Sequence, residues 1–399
     1  MSTQLSERTE SGVTGSTPFI DEAEDRSVGS VDERLEAADE RFYYANPWKL
    51  IMWRFRRHRL AMISLVVLVL LYTVALFAEF VSPYTATWRA EGLQMMPPTK
   101  IHVFHEGSLH RPFVYGLEKT LDQETFKYIF TEDTSTPYPI LFFTQGVEYK
   151  MWGQWPMSIH LFGTGLDAPP VMLFGSDQLG RDIFSRTIYG SRISLSIGLF
   201  GVLISFMIGI AIGGISGYFG GTTDELIQRM IDVIISIPLI PFWMALSAAL
   251  PRTWTSTQTF LAITLILAAV TWTGLARVVR GKLLALREED YALAAQVAGA
   301  SKSRIIFRHL MPGFTSHLIV SVTLAIPVAI LGETALSFLG LGIQPPAVSW
   351  GVLLQDGQDL VAVAQQPWRL IPALFVIGTV LLFNFVGDGL RDAADPYSA

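Results

Sequence analysis

Few residues in this 399-residue chain are of a type, and in a setting, that could do chemistry. Glu333 is a carboxylate inside a long apolar run, His102, His105 and His110 lie close together, and GLARVVRGKL from Gly274 is a basic stretch holding two glycines. That stretch fails as a phosphate loop: six residues separate its glycines where four are needed, and Leu283 stands where a metal-binding Ser or Thr belongs. Residues three apart on a strand point to opposite faces, so His102 and His105 read as ordinary hairpin side chains rather than as a metal site. The chain has no cysteine, which excludes disulfides, thiolate catalysis and Cys-based metal sites. With no Ser, His and Asp set, zinc motif or dinucleotide fingerprint either, no catalytic residue, metal or cofactor is expected in this chain. Glu333 keeps two readings, a lining of a path through the membrane or a structural acceptor, because a carboxylate at such depth is costly and turns toward an interior.

The remaining functional signal is a surface. Residues 287–313, REEDYALAAQVAGASKSRIIFRHLMPG, are far more charged than the apolar segments on either side. They read as two short helices about a glycine. The first, over about 281–298, has Ala292, Ala294, Ala295 and Ala298 along one flank and is stopped by Gly299, as a glycine just past a helix end does. Ser301 caps the second, Ile305, Ile306, Phe307 and Leu310 give it apolar knobs, and Pro312 ends it. Such a hairpin fits a groove on a partner outside the membrane.

A membrane is required by the rest of the chain. Half of the residues are hydrophobic and 16% are charged, against about 25% in soluble domains. About 20 apolar residues cross the hydrocarbon layer, and runs of that order occur at 60–81, 193–218, 218–250, 259–279, 314–339 and 370–386. Pro238 and Pro241 should kink or break the third. Arg54, Arg56, Arg57 and Arg59 precede the first span, and seven basic residues between Arg277 and Pro312 follow the fourth, which places the N-terminus, the 280–313 loop and the C-terminus together in the cytoplasm. Basic residues abutting a span are not read as a nucleic-acid patch. The first forty residues hold eleven acidic and three basic residues and too few apolar ones to offset ordering, so a disordered acidic tail is expected over 1–47. The expected division continues with a first span over 48–82, an extracytoplasmic insertion and interfacial helix over 83–190, a transmembrane core over 191–390 and a cytoplasmic C-terminal segment over 391–399.

Within the insertion, HVFHEGSLHRPFVY from His102 and PILFFTQGVEYK from Pro139 read as hairpins turning at their glycines. The insertion closes on GSDQLGRDIFSRTIYGSR, where Ser176 or Asp177 can cap a short helix in the membrane surface, with Ile183, Phe184 and Ile188 alternating with Arg181, Asp182 and Arg186. Gly198, Gly201, Gly209, Gly213, Gly214 and Gly217 suit close helix packing in the span that follows. Asp224, Glu225, Arg229 and Asp232 recur at helical spacing on a face turned to water or protein.

Four motifs carry a family resemblance. AAQVAGASKSRIIFRHLMP resembles the EAA loop of ABC importer permeases, matching at Ala294, Ala295, Gly299 and Pro312, with Leu293 standing where the leading Glu is usual and Glu289 and Asp290 nearby. GSDQLGRDIFSRTIYGSRISL resembles the GTDxxGRD stretch of the C-type subunit of dipeptide, oligopeptide and nickel permeases; Gly175, Asp177, Gly180, Arg181 and Asp182 match, and Ser176 replaces Thr. ETALSFLGLGIQPPAVSWG and FNFVGDGLRDAADP are similar to the same family's span-five exit and C-terminus. The resemblance implies an all-α polytopic membrane protein of the type I ABC importer kind, with six transmembrane helices and a small extracytoplasmic, β-containing insertion between helices 1 and 2. It implies a peptide importer whose other parts are a homologous B-type permease, two ATP-binding subunits that hold ATP and magnesium, and an extracytoplasmic solute-binding protein. Leu293, Ala294, Ala295, Gly299, Ala300, Arg304, Arg308 and Pro312 would then touch the ATPase. The alternatives are an importer of nickel or another small solute, and an ion-gradient-driven transporter or channel using Glu333 and Asp388.

Overall fold

Apolar length and the residues that interrupt it decide most of the architecture. The structure, a computed structural model, describes residues 47–105, 107–124 and 128–394. The expected acidic tail lies outside the described residues apart from Pro47, as do the last five residues of the chain. Helix α1 (Pro47–Arg57) carries the basic and aromatic stretch. His58 follows it, and its Nδ1 accepts from the Ala61 amide at 3.2 Å, capping α2 (Arg59–Leu76). One further turn, α3 (Ala78–Val81), ends this apolar segment.

The insertion folds as two antiparallel sheets, β1 (His102–His105), β2 (Ser108–Leu121) and β3 (Tyr128–Pro139) in sequential order, then β4 (Leu141–Met151) with β5 (Trp155–Gly163). The first hairpin turns where the sequence predicts. The second does not: β4 continues past Gly146 through a register irregularity between Gln145 and Tyr149, a Cβ on Gly146 would stand 2.7 Å from the His160 ring of β5, and the chain reverses at Trp152 and Gly153, both with positive φ. The opposite-face argument for the histidines also fails. A register irregularity between His102 and Phe104 turns the strand, and the rings of His102, His105 and His110 all gather within 5.8–6.3 Å of the Phe113 ring. His105 and His110 hydrogen-bond Tyr115 and Ser108, while His102 Nε2 lies 3.1 Å from a Glu132 oxygen without a hydrogen bond.

Helix α4 (Ile183–Phe219) is continuous for 37 residues. No separate interfacial helix exists over 183–190, because nothing between Tyr189 and Ile193 breaks the backbone and the supposedly water-facing Arg186 is buried. Next come α5 (Gly221–Ser236) and α6 (Leu239–Ala248), bent by 82° where Pro238 removes a donor, then α7 (Ser256–Leu286), which opens on a capping box of Thr255 and Gln258. Short α8 (Asp290–Val297) leads to α9 (Lys302–Phe338), and α10 (Trp350–Asp356), α11 (Leu360–Gln365) and α12 (Pro372–Ala394) complete the chain. Pro312 does not end a helix. Lacking an amide hydrogen, it is absorbed by a π-turn over Ile305–Leu310 and a 3-10 turn over Met311–Phe314, and α9 continues.

Among the described residues, five helices are long and apolar enough to cross a membrane, or six if the bent pair α5–α6 is one span. Their most intimate crossing is that of α4 with α7. Gly209, Gly213 and Gly217 recur every fourth residue and lie directly on the backbone of Trp272, Ala276 and Arg280; a Cβ on Gly217 would approach the Arg280 carbonyl to 2.8 Å. Lipid offers no hydrophobic drive between helices, so contact this close supplies the dispersion energy that holds them.

Candidate functional site

Two constellations stand out, one open and one closed. The open one is the 287–314 hairpin. Glu289 starts α8, which is only eight residues long because α7 keeps its own helical course to Leu286; the expected single helix over 281–298 is therefore two. The alanine flank divides accordingly. Ala292 is buried in an apolar cluster with Val279, Leu283, Ile305, Leu310, Phe314 and Leu318, and Ala295 and Ala300 pack on its margin. Ala294 and Ala298 face outward with Leu293, and Val297 is 89% exposed. Gly299 closes α8 with φ +78° and open space where a side chain would be. The Ser301 hydroxyl accepts from the Arg304 amide at 3.4 Å, as the cap reading requires. Arg304, Phe307, Arg308 and Pro312 are exposed on the next turns. Between α8 and the end of α4 lies a cleft of 350 Å³ walled by Phe219, Leu293, Gln296 and Lys302, whose ammonium stands 4.7 Å from the Phe219 ring centre.

A belt of ion pairs borders this end of the bundle. Arg280 grips Asp224 through Nε and Nη2, each at 2.5 Å, and Arg277 pairs with Asp232. Asp224 also accepts from Ser216, which ties α5 to both α4 and α7. The polar face expected on α5 is thus partly consumed by protein: Glu225 and Arg229 of the same face stay exposed.

The closed constellation is built on GSDQLGRD. Gly175 and Gly180 both have positive φ, and a Cβ on either would come within 2.5 Å of a carbonyl, that of Met96 or of Ala90. The close approach is used: Ser176 N donates to Met96 O, Ala90 N to Gly180 O and Met95 N to Asp177 O, so the two ends of the insertion are stitched together. The buried Ser176 hydroxyl donates to Leu93 O and accepts from Met96 N; it caps no helix. Asp182 does, accepting from the Phe184 and Ser185 amides and the Ser185 hydroxyl, and its burial pushes its carboxyl up from 3.8 to about 7 against the pull of those bonds. Asp177 accepts from Leu179 N and Arg181 N through Oδ1, while Oδ2 takes Arg181 Nε and Arg186 Nη1, both at 2.6 Å. Arg186 also reaches Asp356 at the end of α10, at 3.0 Å.

Glu333 belongs to the same closed region. It has no exposed surface and accepts from Ser194 of α4 at 2.9 Å, from Ser337 one turn on at 2.7 Å, and from Ser349 at the cap of α10. Ser194 in turn accepts from Trp350 N and Ser337 from Ile343 N. Each of these two hydroxyls is used as donor and acceptor, so within this chain the carboxylate is fully answered by its neighbours. Arg186, Asp356, Ser194 and Ser349 escaped sequence reasoning as partners because no local pattern joins residues 170 or 139 positions apart.

Comparison with known proteins places this geometry. Residues 209–397 match the family described as "Binding-protein-dependent transport system inner membrane component", and residues 46–98 match "N-terminal TM domain of oligopeptide transport permease C". The β-stranded insertion falls between the two matches. The Bacillus subtilis "Oligopeptide transport system permease protein OppC" is 33% identical over 350 residues, which is 88% of this chain and 89% of that protein. The B. subtilis "Dipeptide transport system permease protein DppC" is 43% identical over 56% of this chain and 68% of its own length, and Haemophilus influenzae OppC is 43% identical over 58% and 73%. A solved methionine ABC transporter, MetNI in inward-facing form, aligns with 53% of this chain and 97% of that one at 17% identity and a TM-score of 0.41, too weak a likeness to argue from. The chain is a multi-pass membrane protein and belongs to the binding-protein-dependent transport permeases, in the family of the oligopeptide permease C proteins.

Proposed function

We propose that this chain is the C-type half of the translocation path of a peptide importer, and that residues 287–314 receive the push of a separate ATP-binding subunit. The observation that carries the reading is the construction of α8: its inner face is anchored in the apolar cluster beneath it, while Leu293, Val297 and, beyond the glycine, Phe307 are left bare. Exposed apolar ridges on a rigid base mark a docking surface. Gly299 lets α8 and α9 meet in a tight corner, and Arg304 and Arg308 offer charged contacts beside it. ATP and magnesium would be held by the partner ATPases. Relatives named as oligopeptide and dipeptide permeases support peptide as cargo.

In this reading α5 and α6 form one broken span, making six, with both termini and the 280–313 loop in the cytoplasm and the β-stranded insertion on the outer side, where a solute-binding protein delivers cargo. A homologous B-type permease completes the path. Movement passes from α8 through its apolar base to α7 and α9, so the spans tilt between inward-open and outward-open arrangements. The absence of cysteine gives a clean test. Val297→Cys, assembled with the partner subunits, should cross-link to an ATP-binding subunit. Cross-linking only to the other permease or to lipid would overturn the docking role.

A further inference from the structure

The second sheet of the insertion is fastened to the end of an apolar helix. Trp152, at the reversal between β4 and β5, donates its Nε1–H at 2.8 Å to the carbonyl of Leu76, the last residue of α2. Its ring centre lies 5.8 Å from that of Phe77 and 5.7 Å from that of Trp155. Further along, Phe143 meets Phe80 at 6.1 Å, and the His160 ring bonds the Ser82 carbonyl at 2.5 Å. These contacts fasten the hairpin along the end of the first apolar segment, with its turn level with the last residue of α2.

Beside the polar Lys150 and Gln154 that flank its turn, the hairpin exposes large apolar side chains along its length. Phe142 and Phe143 are 69% and 68% exposed, and Trp155, Met157 and Ile159, which alternate along β5 and so share one face, are 40–54% exposed. In water such a patch would be a liability. At the membrane surface it is a belt, because an indole suits a boundary with an apolar side and a wet one. Beneath the tip, a groove of 500 Å³ opens between α2 (Tyr72, Leu76) and α4 (Leu195, Leu199, Phe200), roofed by Trp152. The charged residues lining it, Glu79 and Arg192, cancel in a two-point pair at 2.7 and 2.5 Å. A slot without net charge, opening onto the bare apolar side of both helices, fits a lipid acyl chain.

We infer that the β4–β5 hairpin is a membrane anchor, with Trp152, Trp155 and Phe143 in the headgroup–acyl boundary and a bilayer lipid in the groove below. The inference rests on α2 being a membrane span. In the intact transporter with cysteine-free partner subunits, reconstituted in phosphatidylcholine nanodiscs, single spin labels at Phe143→Cys and Trp155→Cys report depth through collisions with oxygen and with a water-soluble nickel chelate. Thr134→Cys on β3 serves as the label in water, and Val66→Cys, in the middle of α2, tests the span itself. Labels at 143 and 155 should sit about 5–10 Å into the boundary, the depth to which surface-lying apolar faces sink, with Thr134→Cys open to the chelate and Val66→Cys closed to it. Chelate access at 143 and 155 equal to that at 134 would overturn the anchor. Shielding of 143 and 155 from oxygen and chelate alike would overturn it too, showing that protein covers the tip. Chelate access at 66 would remove the span reading, and the anchor with it, by a separately visible failure.

Discussion

The polar joint around Asp177, Arg186 and Glu333 and the hairpin around Val297 and Gly299 are both short, motif-rich stretches, yet they are built on opposite plans. In the joint, charge and hydroxyl groups are buried and answered within the chain, by partners on α4, α9 and α10. In the hairpin, apolar side chains stand in the open and only an alanine and its neighbours are answered from below. Apart from Arg186 Nε, the joint answers its charges from within, as a scaffold does, whereas the bare apolar ridge of the hairpin is the surface proposed for a partner. The largest test of that contrast is Arg186→Ala. Arg186 and Asp177 have side chains 2% and 4% exposed; removal of the arginine leaves Asp177 with Arg181 alone and takes away the bonds to Asp177 and Asp356, at about 1.5–3 kcal/mol for each charged hydrogen bond lost. Thermal unfolding in detergent, and the yield of assembled protein, would show the loss; a wild-type midpoint would mean that the joint is not scaffold.

Glu333→Ala comes next. It leaves the Ser194, Ser337 and Ser349 hydroxyls without their acceptor, at about 1–3 kcal/mol for each group left unpaired. Glu333→Gln retains an acceptor and the shape, and should transport at near the wild-type rate. Loss of transport by Glu333→Gln with an unchanged unfolding midpoint would restore the path-lining role. Asp182 gives a signature in pH. Burial raises its carboxyl from 3.8 to about 7, so between those values the folded chain holds a proton that the unfolded chain has released. Its contribution to stability therefore falls as pH rises toward 7 and is level above. Asp182→Asn keeps an acceptor for the helix cap and should flatten the midpoint between about pH 4 and 7.

The hairpin should answer differently. At Gly299, φ is +78° and nothing lies within 4 Å, so Gly299→Asp costs about 1–2 kcal/mol of local backbone strain and clashes with nothing. Membrane insertion and the unfolding midpoint should hold nearly steady while ATP hydrolysis becomes uncoupled from uptake. Normal uptake by this variant would count against the docking surface, and wholesale unfolding would erase the contrast between the two regions.

The same contrast governs what could be read in advance. Span positions follow from apolar length, the break of α5 from α6 from Pro238, the corner at Gly299 from its residue type, and the first hairpin from its turn; each signal sits in the residues that show it. Other features were set at a distance. Gly146 reads as a turn until His160 lies across it, Arg186 reads as water-facing until Asp177 and Asp356 surround it, and Pro312 reads as a stop until its neighbours widen and then tighten the helix. The joint was legible as motif and illegible as bonding, since its partners come from far along the chain. The hairpin was legible in kind because so little of it depends on distant residues.

Leu293→Glu carries the smallest expected effect on the chain itself and the finest test of the hairpin. Leu293 is 46% exposed on the outer face of α8, one turn before Val297, so the two form a single ridge. A charge there stays in water in the isolated chain and should change its stability by less than about 0.5 kcal/mol. In the proposed assembly the ridge would meet a groove on the ATP-binding subunit, and an apolar ridge implies an apolar lining opposite. A carboxylate placed in that lining without a partner should weaken association with the ATP-binding subunit, as titration of the purified subunit would show. If Leu293→Glu instead tightened association, the groove would have kept a basic group for the acid that this loop usually carries. The open surface would then be read by charge at 293 and by apolar contact only at Val297.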